Sequence, residues 1–368
     1  MASPPMPSRW QHAMRILWIA PWFRGLAHIY GRGLSAQGHD VRVVTSCKHP
    51  EPGPPLVEEL ICPSKPYDPG WARSLSEVGR FYRTFQPDVV ITDQFTDPVF
   101  AFLARRMQPS CLVIHDAVPH DHTHQVHGIR RLAQRAGDRA NHIITFSSAV
   151  TAEVEATRRS AAVRIHQIKL LGEVREEDVP AVRPAEERRD FVLMGRIRPY
   201  KNLEHVLQAW TSHVRSRHYQ GDRLIIWGTS DWRDTRNRRV QINTIDGVEW
   251  RSEVYRYSDI HKGRFSGFKG SLCVYSEASQ SGIQLLCSQL GVMPIVSDVG
   301  GLPEYQAPGL PVIDPTDQAA LVDVLDYAAD PEIATKLGSI AQEFYASTNS
   351  EIAVTKTLAT ALERTLGI

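Results

Sequence analysis

Residues 191–202 read FVLMGRIRPYKN, an apolar run closed by Gly195 and followed by a loop carrying Arg196 and Lys201. Directly after it, Leu203, Val206, Leu207, Trp210 and Val214 fall at i, i+3, i+4, i+7 and i+11. That spacing predicts an amphipathic helix behind Asn202 as its cap residue. Strand, glycine turn and helix together open a parallel α/β unit. In open sheets of this kind ligands bind beyond the carboxyl ends of the strands, where a helix N-terminus offers unpaired N–H groups and partial positive charge. Arg196 and Lys201 add full charges at that place.

The same alternation continues on both sides. Downstream, strands are expected at LIIWG from Leu224, VEW from Val248, SLCVYS from Ser271, MPIVSD from Met293 and LPVID from Leu310, with a helix on Ile283, Leu286, Cys287 and Leu290. Upstream, the charged, proline-containing run GEVREEDVPAVRPAEERR (172–189) breaks the periodicity and reads as a linker. Before it come RILWIAP from Arg15, VRVVTS from Val41, DVVITD from Asp88, CLVIHD from Cys111 and HIITFS from His142. Gly25, Leu26, Ile29, Gly33 and Leu34 read as the first strand-to-helix turn and its helix, ending near Gly38. The expected fold class is therefore α/β, with two Rossmann-like domains at 14–183 and 190–346, a disordered tail at 1–13, and a last helix at 350–368 returning to the first domain.

A chain of 368 residues exceeds what one core usually organises, which agrees with two domains. Its 42 Lys+Arg against 41 Asp+Glu argue against gripping nucleic acid over the whole surface. The five cysteines are scattered without a CxxC pair, so neither a disulfide framework nor a zinc site is expected. No apolar run approaches the roughly 18 residues of a membrane span, and the start lacks a secretory signal, which predicts a cytoplasmic protein.

Two further strand ends carry ligand-friendly residues. In SLCVYSEASQSGIQLLCSQLG, Glu277 can accept hydrogen bonds from sugar hydroxyls or cap the next helix, and the N–H groups of Gly282 and Ile283 beside Ser281 can face sugar or phosphate. In SDVGGLPE (297–304), Gly300 and Gly301 serve either a ligand or a tight turn.

GRIRPYKN, the SQSG turn and SDVGGLPE, in this order and spacing, resemble family 4 of the retaining GT-B glycosyltransferases, over nearly the whole chain and most specifically at 191–304. The resemblance implies two Rossmann-like domains facing across a cleft, no metal or other cofactor, and net retention at the anomeric carbon. It implies transfer from a UDP- or GDP-linked sugar to a hydroxyl acceptor that is a glycan, a lipid-linked molecule or a small natural product. By position, Arg196 and Lys201 match the pair that contacts the donor diphosphate, and His115 matches a histidine near the donor sugar. The Gly25 loop matches the turn near phosphate, although Arg24-Gly25 stands where many relatives have two glycines. The expected catalytic set is Arg196, Lys201, His115 and Glu277. Gly25, Gly195, Arg251, Val254, Ser281, Gly282 and Ile283 are expected to bind the donor, and His120 and Asp116 to line the acceptor side.

Many members carry a pair of glutamates, the second of which binds the nucleotide ribose. Here Glu277 stands for the first, and Cys287 occupies the place of the second, as in a subgroup with the ASQSG version of the turn. The dense histidines of HDAVPHDHTHQVH (115–127) line the acceptor side or a polar loop better than a zinc site. Arg131, Arg135 and Arg139 form one basic helical ridge, either an ordinary solvated face or a weak contact with an anionic membrane. Two alternatives stay open: a catalytically silent nucleotide- or sugar-binding subunit, and a nucleotide-sugar epimerase. Phosphorolysis lacks a pyridoxal lysine motif, and a dehydrogenase lacks GxGxxG after the first strand.

Overall fold

The computed structural model describes residues 13–47, 53–62, 70–94, 106–117, 142–157, 163–230, 235–256, 259–260 and 262–368. Apart from Ala13, the expected disordered tail lies outside them.

The first sheet contains β1 (Arg15–Ile19), β2 (Asp40–Ser46), β3 (Glu58–Cys62), β4 (Val89–Asp93), β5 (Ser110–Ile114), β6 (His142–Thr145) and β7 (Arg164–Gln167), in the order β3-β2-β1-β4-β5-β6-β7. The second contains β8 (Arg189–Met194), β9 (Leu224–Trp227), β10 (Val248–Arg251), β11 (Phe268–Cys273), β12 (Met293–Ser297) and β13 (Val312–Ile313), in the order β10-β9-β8-β11-β12-β13. Neighbouring strands are parallel in both. The helices are α1 (Arg24–Ala36), α2 (Trp71–Phe85), α3 (Ser148–Thr157), α4 (Leu203–Val214), α5 (Thr235–Ile242), α6 (Gly282–Gln289), α7 (Gln318–Ala328), α8 (Pro331–Thr348) and α9 (Glu351–Leu366).

Both sheets are covered on both faces, which is why their strands read as continuous apolar runs. Along β1, Ile16 and Trp18 pack with Tyr30 of α1, while Leu17 and Ile19 point the other way, towards Val78 and Phe85 of α2. Along β8, Phe191 and Leu193 meet Val206 and Trp210 of α4, and Val192 and Met194 meet Leu286 of α6. In each sheet the chain moves outward from its first strand and then returns to the other side of it. The resulting crevices, between the carboxyl ends of β1 and β4 and of β8 and β11, are the expected ligand positions in open α/β sheets.

Several local expectations need correction. The edge strands β3 and β7 were not expected, because EELIC and RIHQ alternate too weakly and carry charge. β11 begins at Phe268, before Ser271, and β13 is only Val312–Ile313. Asn202 is not a side-chain cap: it is left-handed at φ 55°, and its Nδ2 donates to the Pro315 carbonyl at 2.7 Å. The expected linker also ends inside the second domain. Arg188 is fully buried, with its guanidinium donating to the carbonyls of Phe268 (2.8 Å), Gly291 (2.7 Å) and Arg183 (3.2 Å), and burial lowers its pKa to about 10.

α9 crosses back to the first domain. Val354, Leu358, Ala359 and Leu362 join the core made by β1, β2 and α1, and Gln37 Nε2 donates to Thr355 Oγ1 at 2.6 Å. Gly33 makes the close approach possible, since a Cβ there would stand 2.6 Å from Thr355 Cγ2. Gly33→Ala should therefore destabilise the fold by roughly 1–3 kcal/mol. Adding Thr355→Ala should recover most of that loss in urea unfolding, and a double variant no more stable than the single one would show that the contact is not limiting.

Candidate active site

The mouth of the second sheet is built from two loops that flank the β8/β11 crevice. Gly195 ends β8 at φ +92°, a conformation that favours glycine, and a Cβ on Gly228 at the end of β9 would fall 1.8 Å from the Gly195 carbonyl oxygen. The chain then makes a short turn at Pro199–Lys201 before α4. Across the crevice, Ser276 N donates to the Tyr200 carbonyl at 2.8 Å, so the GRIRPYKN loop and the YSEASQSG turn are hydrogen-bonded to each other.

Lys201 points inward and is only 4% exposed. Its Nζ donates to the neutral phenol of Tyr275 at 2.8 Å and lies 4.2 Å from the centre of that ring. No carboxylate among the described residues forms an ion pair with it, and burial lowers its pKa to about 8. Arg196, in contrast, is exposed at the start of the loop.

α6 begins at Gly282, and its cap is Ser281, whose Oγ accepts the N–H of Gln284 at 3.2 Å. Glu277 is therefore not the helix cap, and it is exposed on the turn. Ile283 borders Gly195, with its Cγ1 3.5 Å from a Cβ built there. A Cβ on Gly282 would meet nothing within 4 Å, and its φ is not positive, so neither packing nor backbone geometry requires glycine at that helix start. Arg251 ends β10 with its guanidinium on Glu249 (2.6 Å) and over the Trp227 ring, and Val254 beyond it is exposed. Cys287 is buried among the apolar side chains beneath the sheet, where its thiol is pushed up to about 12.

The paired glycines of SDVGGLPE answer to packing. A Cβ on Gly300, itself at φ +53°, would fall 1.5 Å from the Ala278 carbonyl oxygen, and one on Gly301 would fall 2.3 Å from that of Ser279 and 2.6 Å from Ser147 Cβ. The turn thus braces the SQSG turn against the first domain. Glu304 continues the brace: its carboxylate accepts the Ser148 N–H at 2.8 Å at the start of α3, where a helix N-terminus favours negative charge.

On the first-domain side, His115 follows β5. It is buried, stacks on Phe23 at 4.0 Å and places Nε2 3.3 Å from Asp93 Oδ1, while its carbonyl accepts Gln280 Nε2 of the SQSG turn at 2.8 Å. His115 and the SQSG turn are therefore brought together across the cleft. Asp116 N shares Gln94 Oε1 at 3.1 Å; His120, Arg131, Arg135 and Arg139 lie outside the described residues. Asp93 was missed. It is buried at the end of β4, beside the β1/β4 crevice, and its Oδ2 has no partner among the described residues. The only sequence signal for it was a carboxylate closing an apolar strand. Gly25 lies inside the first turn of α1 and not in a loop before it, and its neighbour Arg24 is buried against Glu59 at 2.6 Å. Among the described residues there is no cluster of metal-ligating side chains and no helix long and apolar enough to cross a membrane.

Two family models match the chain in tandem, a glycosyl transferase 4-like domain over residues 27–170 and glycosyl transferases group 1 over residues 174–344. The chain belongs to the GT-B glycosyltransferases of family 4 type. Solved structures agree on the fold of this glycosyltransferase. It is similar to sucrose-phosphate synthase from Thermosynechococcus elongatus, with a TM-score of 0.71 and 15% identity over 96% of this chain and 99% of that one. It is similar to HepE from Anabaena, solved in complex with UDP-glucose, with a TM-score of 0.70 and 13% identity over 95% of this chain and 100% of the other. A glycosyltransferase from Rickettsia africae matches with a TM-score of 0.68 and 11% identity over 96% of this chain and 99% of that chain. Among curated proteins, none is recognisably similar in sequence. In this glycosyltransferase the two α/β units correspond to the two matched models, and the loops described above lie at their facing edges.

Proposed function

We propose that the chain is a retaining, metal-independent glycosyltransferase that takes a nucleoside-diphosphate sugar on its second domain and passes the sugar to a hydroxyl acceptor held by the first. The observation that carries this reading is Lys201: a buried ammonium without an anionic partner among the described residues, at the crevice where open sheets receive ligands. A diphosphate supplies the missing charge. HepE, a protein of the same fold, was solved with UDP-glucose, which supports a donor of that class.

In the reaction, the bond from the anomeric carbon to the diphosphate oxygen breaks while the acceptor oxygen bonds to the same face of that carbon. The acceptor proton passes to the departing phosphate oxygen, so no protein nucleophile is needed. Lys201 and Arg196 stabilise the negative charge that grows on the diphosphate, more in the transition state than in the bound donor. His115, held by Asp93, Phe23 and the SQSG turn, borders the sugar.

Binding should show the buried ammonium directly. Free Lys201 titrates near pH 8 and a bound diphosphate raises its pKa, so binding takes up a proton at and above that pH. Calorimetric titration with UDP and GDP is expected to give an affinity that falls by up to roughly tenfold per unit as pH rises above 8. Absence of binding by either nucleotide would sink the donor assignment.

A further inference from the structure

Tyr275 stands just beyond β11, and the reaction just described gives it no part. Its backbone is fixed at both ends: its N–H donates to the Cys273 carbonyl at 3.0 Å, and its own carbonyl accepts Ser297 Oγ at 2.6 Å. The residue is 3% exposed, and its ring meets that of Tyr200 edge-on with centres 5.7 Å apart. The phenol therefore has one place to be.

It also has a direction. Tyr275 Oη donates to Cys273 Sγ at 3.5 Å, which commits the single proton it carries, so lone pairs alone are left for Lys201 Nζ at 2.8 Å. An acceptor of this kind suits an ammonium, whose N–H groups all donate, better than a neutral amine. The ammonium is enclosed on its other sides, since a Cβ built on Gly195 would stand 3.4 Å from Lys201 Nζ and 3.5 Å from Ile283 Cγ1. It thus sits where the ends of β8 and β11 meet the start of α6. The titratable groups beside it are the Tyr200 and Tyr275 phenols and the Cys273 and Cys287 thiols, and burial keeps Tyr275 and both thiols neutral by raising their pKa values. Among the described residues no negative charge pins the lysine, and its placement falls to the phenol.

We propose that Tyr275 is the positioning residue of the donor site: its phenol oxygen holds the Lys201 side chain in the crevice as an ammonium without cancelling the charge that the diphosphate meets. The assignment rests on the donor reading above. A carboxylate at the same place would grip the lysine harder but neutralise it, competing with the leaving group for the same N–H donors.

Tyr275→Phe keeps the ring and its cation–π contact while removing the acceptor oxygen, so it isolates the anchor. Lysine labelled with carbon-13 at Cε lets Lys201 be followed by NMR in the ligand-free protein, with Lys201→Met identifying its signal. Lys201 is expected to titrate near pH 8 in wild type and about one pH unit lower in Tyr275→Phe. Calorimetry with whichever of UDP or GDP binds should then find the variant within about twofold of wild type at pH 6 and about fivefold weaker at pH 8, because the two lysines differ in charge chiefly at the higher pH. Comparing the two proteins at each pH cancels the titration of the nucleotide itself. A purely structural part for Tyr275 would give the same ratio at both pH values, and that result overturns the proposal, as does a Lys201 titration that does not move. If wild type binds neither nucleotide, the donor reading falls and this assignment falls with it.

Discussion

Lys201→Ala is expected to lower kcat by about 100- to 1,000-fold, the range seen when one preorganised group that stabilises developing charge is removed. Lys201 is buried with the Tyr275 phenol as its only side-chain hydrogen-bond partner among the described residues, so its full charge is available to the leaving diphosphate. The loss should appear mainly in kcat, because the interaction strengthens as the bond breaks. Unfolding would not explain it. The folded pKa of about 8 lies below the ordinary 10.5, so at neutral pH the charged amine opposes folding by roughly 3 kcal/mol, and Lys201→Met should melt no lower than wild type. Steady-state kinetics of both variants with a competent donor and acceptor decide the matter, and near-normal turnover would remove Lys201 from the mechanism.

Arg24→Ala should cost roughly 3–5 kcal/mol of folding stability at pH 7, since it takes the bidentate guanidinium from a buried carboxylate. In the intact protein Arg24 Nε and Nη2 grip Glu59 at 2.7 and 2.6 Å, His28 Nε2 lies 3.4 Å from it, and Thr45 donates a hydroxyl hydrogen bond. With those partners Glu59 titrates at about 2, below the ordinary 4.5, so its contribution is complete above pH 4.5 and disappears as pH falls through 2. Without Arg24 the carboxyl pKa rises, and the deficit should shrink as pH is lowered from 7 to about 5. Arg24→Ala/Glu59→Gln should recover much of the loss. Urea unfolding at the two pH values checks both statements; a deficit independent of pH would mean that Glu59 is not its source.

The fold was legible because parallel strands buried on both faces announce themselves: Ile16–Ile19 and Phe191–Met194 are apolar without interruption. The half-polar edge strands β3 and β7 gave no such signal, since only one side of each is paired. The candidate site could be read where charge and glycine met a strand end, as at Gly195–Lys201. Roles set by tertiary approach could not. Whether Gly300 serves a ligand or a neighbouring carbonyl depends on Ala278, and nothing local to GG distinguishes the two. Asp93 looks like an ordinary strand end until β5 is placed beside it.

The helix that closes the core of the first domain follows the whole second unit in sequence. Val354, Leu358, Ala359 and Leu362 seat on β1 and α1, so a ribosome must first make the whole second unit before the earlier half can exclude water completely. The second α/β unit has all of its own strands by Ile313 and is complete earlier. Order of synthesis and order of maturation therefore differ here, and a stop codon ahead of Glu351 injures the domain that was translated before it.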